Sequence, residues 1–196
     1  MSIAHFISAR WVALLTACCL LLMCVSCGEK PDDDKDMTRS VVEQYLDAFG
    51  QYNIARMNQV SLTRFAAYDD SAEVNAACKL LTSRTTRTVE GITVSGNAAI
   101  AQISIAAPED YQTICREALD SAMLQIEQDT SEKPPAEILR LSIKKTVGQA
   151  DRIPSTAEIT LSKVNNKWYI VRSQDIADLM SEIRTAVVSV YTVIED

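Results

Sequence analysis

The stretch TTRTVEGITVSGNAAIAQISIA, residues 85–106, decides the fold that this sequence predicts. Apolar and polar residues alternate on both sides of a short turn, which is typical of two strands joined as a hairpin. With Gly96 and Asn97 as the turn, Val94 lies opposite Ala99. A shift of one residue would scatter the apolar side chains over both faces of the hairpin. In this register they share one face: Ile92, Val94, Ala99, Ala101, Ile103 and Ile105.

A second hairpin is predicted from residues 157–164 and 167–171. Its turn is Asn165-Asn166, because asparagine tolerates positive φ. Pairing Leu161 with Ile170 brings the apolar side chains to one side of the sheet: Ile159, Leu161, Trp168 and Ile170.

Helices are predicted wherever apolar residues recur at three and four positions. The predicted helical stretches are Thr38–Phe49, a short helix capped by Asn53, Ser71–Ser83, Tyr111–Gln128, Pro135–Val147 and Asp175–Ile194. The last of these is rich in β-branched residues over 187–194, so an extended ending stays open. The order of helices and hairpins predicts an α+β fold, in which a curved antiparallel sheet of two hairpins packs against several helices.

Length and charge limit the functions that are open to the chain. Its 196 residues suffice for one ordinary domain. The net charge of −7 argues against a nucleic-acid partner, since phosphate backbones attract clustered Lys and Arg. The one histidine is His5, near the start. A Ser-His-Asp triad or an imidazole metal site is therefore not expected, and we predict no metal, cofactor or catalytic residue.

The first part of the chain has the pattern of an export signal. Residues 1–10 carry Arg10 and no acid, and residues 11–26 are uncharged. That run is short for a membrane span, which takes roughly 20 residues, but suits a signal peptide. We predict a signal peptide over 1–26, a flexible acidic tether over 27–37 and one domain over 38–196.

The border at Cys27, preceded by the small Ser26, resembles the lipobox of bacterial lipoproteins. The resemblance implies a diacylglyceryl cysteine, with fatty acids such as palmitate, that anchors the chain at the outer face of the cell membrane. The sequence departs from that pattern at Cys24, where Leu is usual. LTAC, residues 15–18, is a better match by residue type, but cleavage there leaves apolar residues 19–26 on the mature chain. An uncleaved anchor and plain secretion are further alternatives, and each places the remainder outside the cytoplasmic membrane.

Two cysteines, Cys78 and Cys115, remain in the predicted domain. They would form a disulfide only if their Cα atoms came within about 7 Å of each other. The alternative is two buried thiols on helices, which the common burial of free cysteine favours.

Three stretches together resemble exported lipoproteins of Gram-positive bacteria that carry a nuclear-transport-factor-two-like, cone-shaped α+β domain. They are VVEQYLDAFGQYNIARMNQV (41–60), TVEGITVSGNAAIAQISIAAPED (88–110) and AEITLSKVNNKWYIV (157–171), and the resemblance covers about residues 38–171. It implies a sheet that wraps a long helix and leaves a pocket at its wide end. The helical insert, 111–148, and the C-terminal helix depart from the minimal cone and could cover this pocket.

The first hypothesis for function is a membrane-tethered, non-catalytic domain that binds a small apolar ligand or an envelope protein. The candidate pocket residues are Tyr45, Phe49, Trp168 and Tyr169. Aromatic side chains contribute large buried area anywhere in a small domain, so all four are equally suited to the core.

Two alternatives belong to other classes of function. Cone-fold enzymes use a carboxylate base in an apolar pocket. Only Glu90 points inward in the hairpin register, while Glu43, Asp47 and Glu158 lie off the apolar faces. Glu90 lies near the end of its strand, so the favoured interpretation is a solvated strand-end residue and not a buried base. The third hypothesis is an envelope assembly or regulatory partner that offers its C-terminal apolar stripe to a groove. That stripe is equally suited to be the last core element of the domain itself.

Overall fold

A computed structural model of the chain describes residues 31–128 and 133–195. The predicted signal peptide, 1–26, and the predicted lipidation site, Cys27, lie outside the described residues. Contacts divide the chain into two units, Met1–Asp34 and Lys35–Asp196. All four strands belong to the second unit.

Helices and strands alternate in groups along the described chain. The helices are α1 (Pro31–Gly50), α2 (Ile54–Gln59), α3 (Ala72–Ser83), α4 (Tyr111–Gln128), α5 (Pro135–Gln149) and α6 (Gln174–Glu195). The strands are β1 (Thr86–Ser95), β2 (Ala98–Ala107), β3 (Ile153–Val164) and β4 (Lys167–Arg172).

The strands form one antiparallel, curved and unclosed sheet in the order β1-β2-β3-β4. β2 pairs with β3 along its whole length, from Ala98 opposite Ser162 to Ala107 opposite Ile153. The helices α4 and α5 lie in the sequence between these neighbouring strands. The predicted α+β fold, with two hairpins, a helical insert and a C-terminal helix, is confirmed. β3 begins four residues before the predicted Ala157, because its pairing with β2 continues to the end of that strand.

The predicted hairpin registers are confirmed near both turns. Val94 lies opposite Ala99 in the first hairpin, and Leu161 lies opposite Ile170 in the second. Gly96 has φ of 58°, a region that glycine enters without steric cost. Asn165 and Asn166 have φ of 50° and 59°, and two consecutive positive values are the requirement of a type I′ turn.

The inward position that the simple register gives to Glu90 is wrong, because β1 contains a bulge, and Glu90 is solvated as the favoured interpretation had it. Val89 lies opposite Ile103 and Gly91 lies opposite Gln102, so Glu90 is the extra residue between them. A bulge reverses the alternation of side chains beyond it. Val89 therefore takes the inward position, and the side chain of Glu90 is exposed.

The helices begin within one residue of their predicted starts, with α1 as the one exception. The side chains of Asn53, Ser71 and Asp110 accept amide hydrogen bonds of 3.0, 3.2 and 3.0 Å in the first turns of α2, α3 and α4. α1, in contrast, already begins at Pro31, so that residues 31–37 are helical and not a flexible coil. Proline suits the first turn of a helix, and the acidic residues after it are favoured at the positive end of the helix dipole.

The core joins the inward face of the sheet to the apolar stripes of the helices. α6 contacts α3, α4, α5 and β3, and it stays helical to Glu195, so the extended ending is excluded. Its buried stripe is Ile176, Met180, Ile183, Ala186, Val187, Val190 and Tyr191. This stripe packs within the domain as its last core element.

The spacing of apolar residues along α4 predicts Met123 in its apolar stripe, but the side chain of Met123 is exposed. α4 packs on α5 and α6 along the line of Tyr111, Ile114, Cys115, Ala118 and Ala122. Met123 follows Ala122 directly and is turned by about 100° from it around the helix, since there are 3.6 residues per turn.

Candidate functional site

The four predicted pocket residues fall into two pairs. Tyr45 and Phe49, on α1, are fully buried in the core. Trp168 and Tyr169, on β4, line a surface groove together. Trp168 is 4% exposed and also belongs to the core, whereas Tyr169 is half-buried. The structure thus brings two of the four residues to one candidate site.

The groove lies between α1, the end of α2 and the β3–β4 hairpin, and has a volume of about 390 Å³. Ligand pockets in proteins commonly measure about 300–1,000 Å³. Its apolar lining is Met37, Val41, Val60, Trp168 and Tyr169, and its polar lining is Ser40, Gln59, Asn166 and Lys167. Each side chain is held by an element of regular structure or a tight turn next to one, so the groove is formed before a ligand arrives.

One wall of the groove is fixed by backbone pairing at the edge of the sheet. The amide of Ile170 donates to the carbonyl of Val60 at 2.8 Å, and the amide of Leu62 donates to the carbonyl of Ile170 at 2.8 Å. The segment after α2 therefore runs parallel to β4 at this point. This pairing holds Val60 beside Trp168 and Tyr169.

Tyr45 has a structural role at the other side of β4. Its hydroxyl shares a buried hydrogen bond with the hydroxyl of Ser173, which directly precedes α6. Burial raises the pKa of Tyr45 to about 12, and the hydrogen bond with Ser173 opposes part of that rise. The phenol is therefore neutral at physiological pH, and it ties α1 to the start of α6.

Cys78 and Cys115 are free and fully buried. Burial raises the pKa of each thiol to about 12. A thiol with such a pKa is a poor nucleophile, because the thiolate is the reactive form. The two residues act as small apolar side chains of the core, as the second interpretation of the sequence had it.

A partly buried ion pair, which no local sequence pattern predicts, joins the loop before α3 to α6. Arg184 donates to both carboxylate oxygens of Asp70, with distances of 2.8 Å from Nε and 2.6 Å from Nη2. The side chain of Asp70 is 5% exposed and that of Arg184 is 31% exposed. The hydrogen bond to Asp70 raises the pKa of Arg184. The guanidinium also stacks over the ring of Tyr68, 4.3 Å from its centroid.

The candidate carboxylate bases do not converge on the groove. Glu43, Asp47, Glu90 and Glu158 are exposed, and the buried Asp70 is held by Arg184. Within residues 31–128 and 133–195, no group of three or more His, Cys, Asp or Glu side chains is arranged to hold a metal ion. Among the helices of those same ranges, none combines the length and the apolar character that a membrane crossing needs.

Comparison with known proteins finds similarity at the level of the fold. No protein-family model matches the sequence, and no curated protein matches it. One similar solved structure is an NTF-2-like protein of unknown function from Shewanella oneidensis, at 10% identity and a TM-score of 0.36. The match covers 69% of this chain and 93% of that one.

A second similar structure is the candidate lipoprotein ycdA from Bacillus subtilis, at 15% identity and a TM-score of 0.41. The match covers 74% of this chain and 46% of that one, so this chain spans about half the length of ycdA. The two neighbours thus have the two features of the predicted resemblance, an NTF-2-like domain and a lipoprotein. At these identities the likeness is one of fold alone.

Proposed function

We propose that this chain is a non-catalytic binding domain, tethered to the outer face of the cell membrane through lipidated Cys27, whose groove beside Trp168 takes a small apolar ligand. The observation that carries the proposal is the groove itself. It combines a preformed volume in the range of ligand pockets with an aromatic and aliphatic lining and a polar rim. An envelope protein that inserts an apolar side chain is the other possible occupant.

The position of the groove in the sequence suits an anchored protein. Residues 28–36 alone separate Cys27 from Met37, the first residue of the groove. Ten residue steps span at most about 35 Å even when fully extended. A ligand that leaves the outer leaflet would therefore meet the groove close to the membrane surface.

The absence of catalysis is proposed from the state of the titratable groups. A general base needs a raised pKa in an apolar pocket and a free position for substrate. Glu43, Asp47 and Glu90 are exposed and do not line the groove, and Glu158 lines a separate cavity at the surface that Arg172 shares. Asp70 lacks the free position because Arg184 occupies both of its oxygens. The pKa values of Tyr52 and Tyr111 are raised by burial, which keeps these phenols neutral.

Anchoring is tested by exchanging single cysteines in the full chain. Cys27→Ser is expected to abolish palmitate labelling and lipid anchoring, with the chain either released into the medium or left with residues 1–26 uncleaved, because the serine cannot receive the diacylglyceryl group. Cys18→Ser is the matched control and is expected to leave both unchanged. Cell fractionation and metabolic labelling measure the two properties. The reverse pattern would move the lipidation site nine residues upstream and contradict the proposal for Cys27.

Ligand binding is tested with Trp168 as the probe. The chain contains two tryptophans, Trp11 and Trp168, so Trp11→Phe leaves Trp168 as the single one. In this full-length variant, held in lipid nanodiscs, uncharged dansyl-undecylamine is expected to show saturable energy transfer from Trp168.

A pair of methionine variants locates the probe. Met37→Asp places a charge at the groove. It should lower the affinity for the probe, measured by the energy-transfer titration, at least tenfold, since an apolar ligand cannot pair with the carboxylate. Met123→Asp is the matched control, because Met123 is exposed to almost the same extent, 41% against 39% for Met37, and lies on α4 away from the groove. Equal loss in both variants, or transfer that never saturates, would reject the groove as the site.

A further inference from the structure

We propose that the chain has a second site, distinct from the groove, which binds a phosphoryl group between Arg64 and Arg172. A cavity of about 120 Å³ lies where the segment after α2, the end of β4 and the start of α6 meet. Both arginines line it, together with Thr63, Ser173 and Gln174. The proposal does not depend on the function proposed for the groove.

The charge of this cavity is unusual for an acidic protein. The chain carries a net charge of −7, yet the lining contains two arginines and no Asp or Glu. Both guanidinium groups are on exposed residues, and neither takes part in any ion pair or hydrogen bond of the described residues. Arginine presents a planar fork of donors that matches the oxygens of a phosphoryl group, so two free arginines at one cavity favour this chemistry.

The acidic residues near Arg64 and Arg172 form no ion pair with either arginine among the described residues. Glu158 and Asp175 line a neighbouring cavity to which Arg172 also contributes. Asp175 instead accepts a hydrogen bond from the amide of Glu158 at 3.4 Å, and Glu158 accepts one from Gln102 at 2.5 Å. Arg172 therefore remains available to an anion in the first cavity.

The start of α6 adds to a site that the arginines already define. Helix amides at the first turn attract anions unless a side chain caps them. Ser173 stands at the capping position, but its hydroxyl is bonded to Tyr45. No side-chain cap of these amides is among the hydrogen bonds of the described residues.

The cavity is small, about 120 Å³, and is partly open to solvent. A single phosphoryl group is the part of a ligand that the two arginines would hold, and any substituent on that group would extend into solvent. The group could come from inorganic phosphate or from the phosphodiester of a lipid headgroup, and the two sources differ in charge and substitution.

Calorimetry of the full chain in nanodiscs of neutral lipid tests the site with two soluble probes, inorganic phosphate and glycerophosphoglycerol. At least one probe is expected to bind, and the tighter one identifies the source. The double variant R64A/R172A should weaken that binding about 100-fold, since each arginine contributes charge-assisted hydrogen bonds. Both residues are exposed, so the fold should stay intact by circular dichroism.

A control of equal charge change is R56A/R116A, which removes two exposed arginines that do not line the cavity. It should change the affinity less than threefold, because distant exposed charges are screened by salt. Absence of binding by both probes would overturn the proposal, and so would an equal effect of the two double variants. Met37→Asp should leave phosphate binding unchanged, which separates this site from the groove.

Discussion

Replacing Trp168 with alanine is expected to lower the free energy of unfolding by about 3–5 kcal/mol, the range for a buried large aromatic side chain. Trp168 is 4% exposed and belongs to the buried core. The substitution leaves a cavity at the edge strand β4, which the short strand cannot close without losing its pairing with β3. Urea unfolding followed by far-UV circular dichroism measures the effect, since the tryptophan signal is gone.

Tyr169→Ala is the control, because it removes an aromatic side chain from the neighbouring residue of the same strand. Its side chain points to the other face of β4 and is only half-buried, so we expect a loss of about 1 kcal/mol. A loss below about 1 kcal/mol for Trp168→Ala, together with loss of the probe's own dansyl fluorescence enhancement, would contradict the structural role. Trp168 would then be a residue of the groove alone.

Removal of Arg184 is expected to cost about 3 kcal/mol in Arg184→Ala. Breaking a buried ion pair costs about 3–5 kcal/mol, because the remaining charge is left buried without a partner. The lower end applies here, since the side chain of Arg184 is 31% exposed and solvent screens part of the interaction. Urea unfolding of Arg184→Ala, Asp70→Ala and the double variant forms a double-mutant cycle, in which the double variant should lose less than the sum of the single losses.

An exposed ion pair of the same chain provides the control for this cycle. Arg39 and Glu43 lie 3.9 Å apart on α1, with side chains 38% and 57% exposed. Glu43→Ala should change the free energy of unfolding by less than about 0.5 kcal/mol. Strict additivity of Asp70→Ala and Arg184→Ala would show that the two side chains do not stabilise each other.

Local features of the fold could be predicted because their causes lie within a few residues. Gly96 and the pair Asn165-Asn166 set the turns, and the turns set the registers beside them. The predicted register failed at Glu90, six positions before Gly96. A bulge depends on how the whole strand lies on the sheet, and alternation alone does not reveal it.

Of the four predicted pocket residues, two line the groove and two do not. Aromatic side chains at apolar positions indicate burial, and burial does not distinguish a core from a pocket. Tyr45 and Phe49 therefore resembled Trp168 and Tyr169 in the sequence, although only the second pair borders the groove. The groove forms where β4 lies beside α1 and the segment after α2. These segments are far apart in the sequence, so no local pattern predicts that they come together.

The sequence by itself determined the element types, the two turns and the apolar faces, because propensity, periodicity and turn chemistry act over short distances. The tertiary structure decided what lies far apart in the chain. It paired β2 with β3 across the helical insert, and it placed Arg184 on Asp70, 114 residues away. It also brought Arg64 and Arg172 to one cavity. These long-range contacts depend on how the helices pack against the sheet in one core. Burial of the apolar faces against each other fixes the positions of the helices and strands, and with them the positions of the polar side chains at their edges.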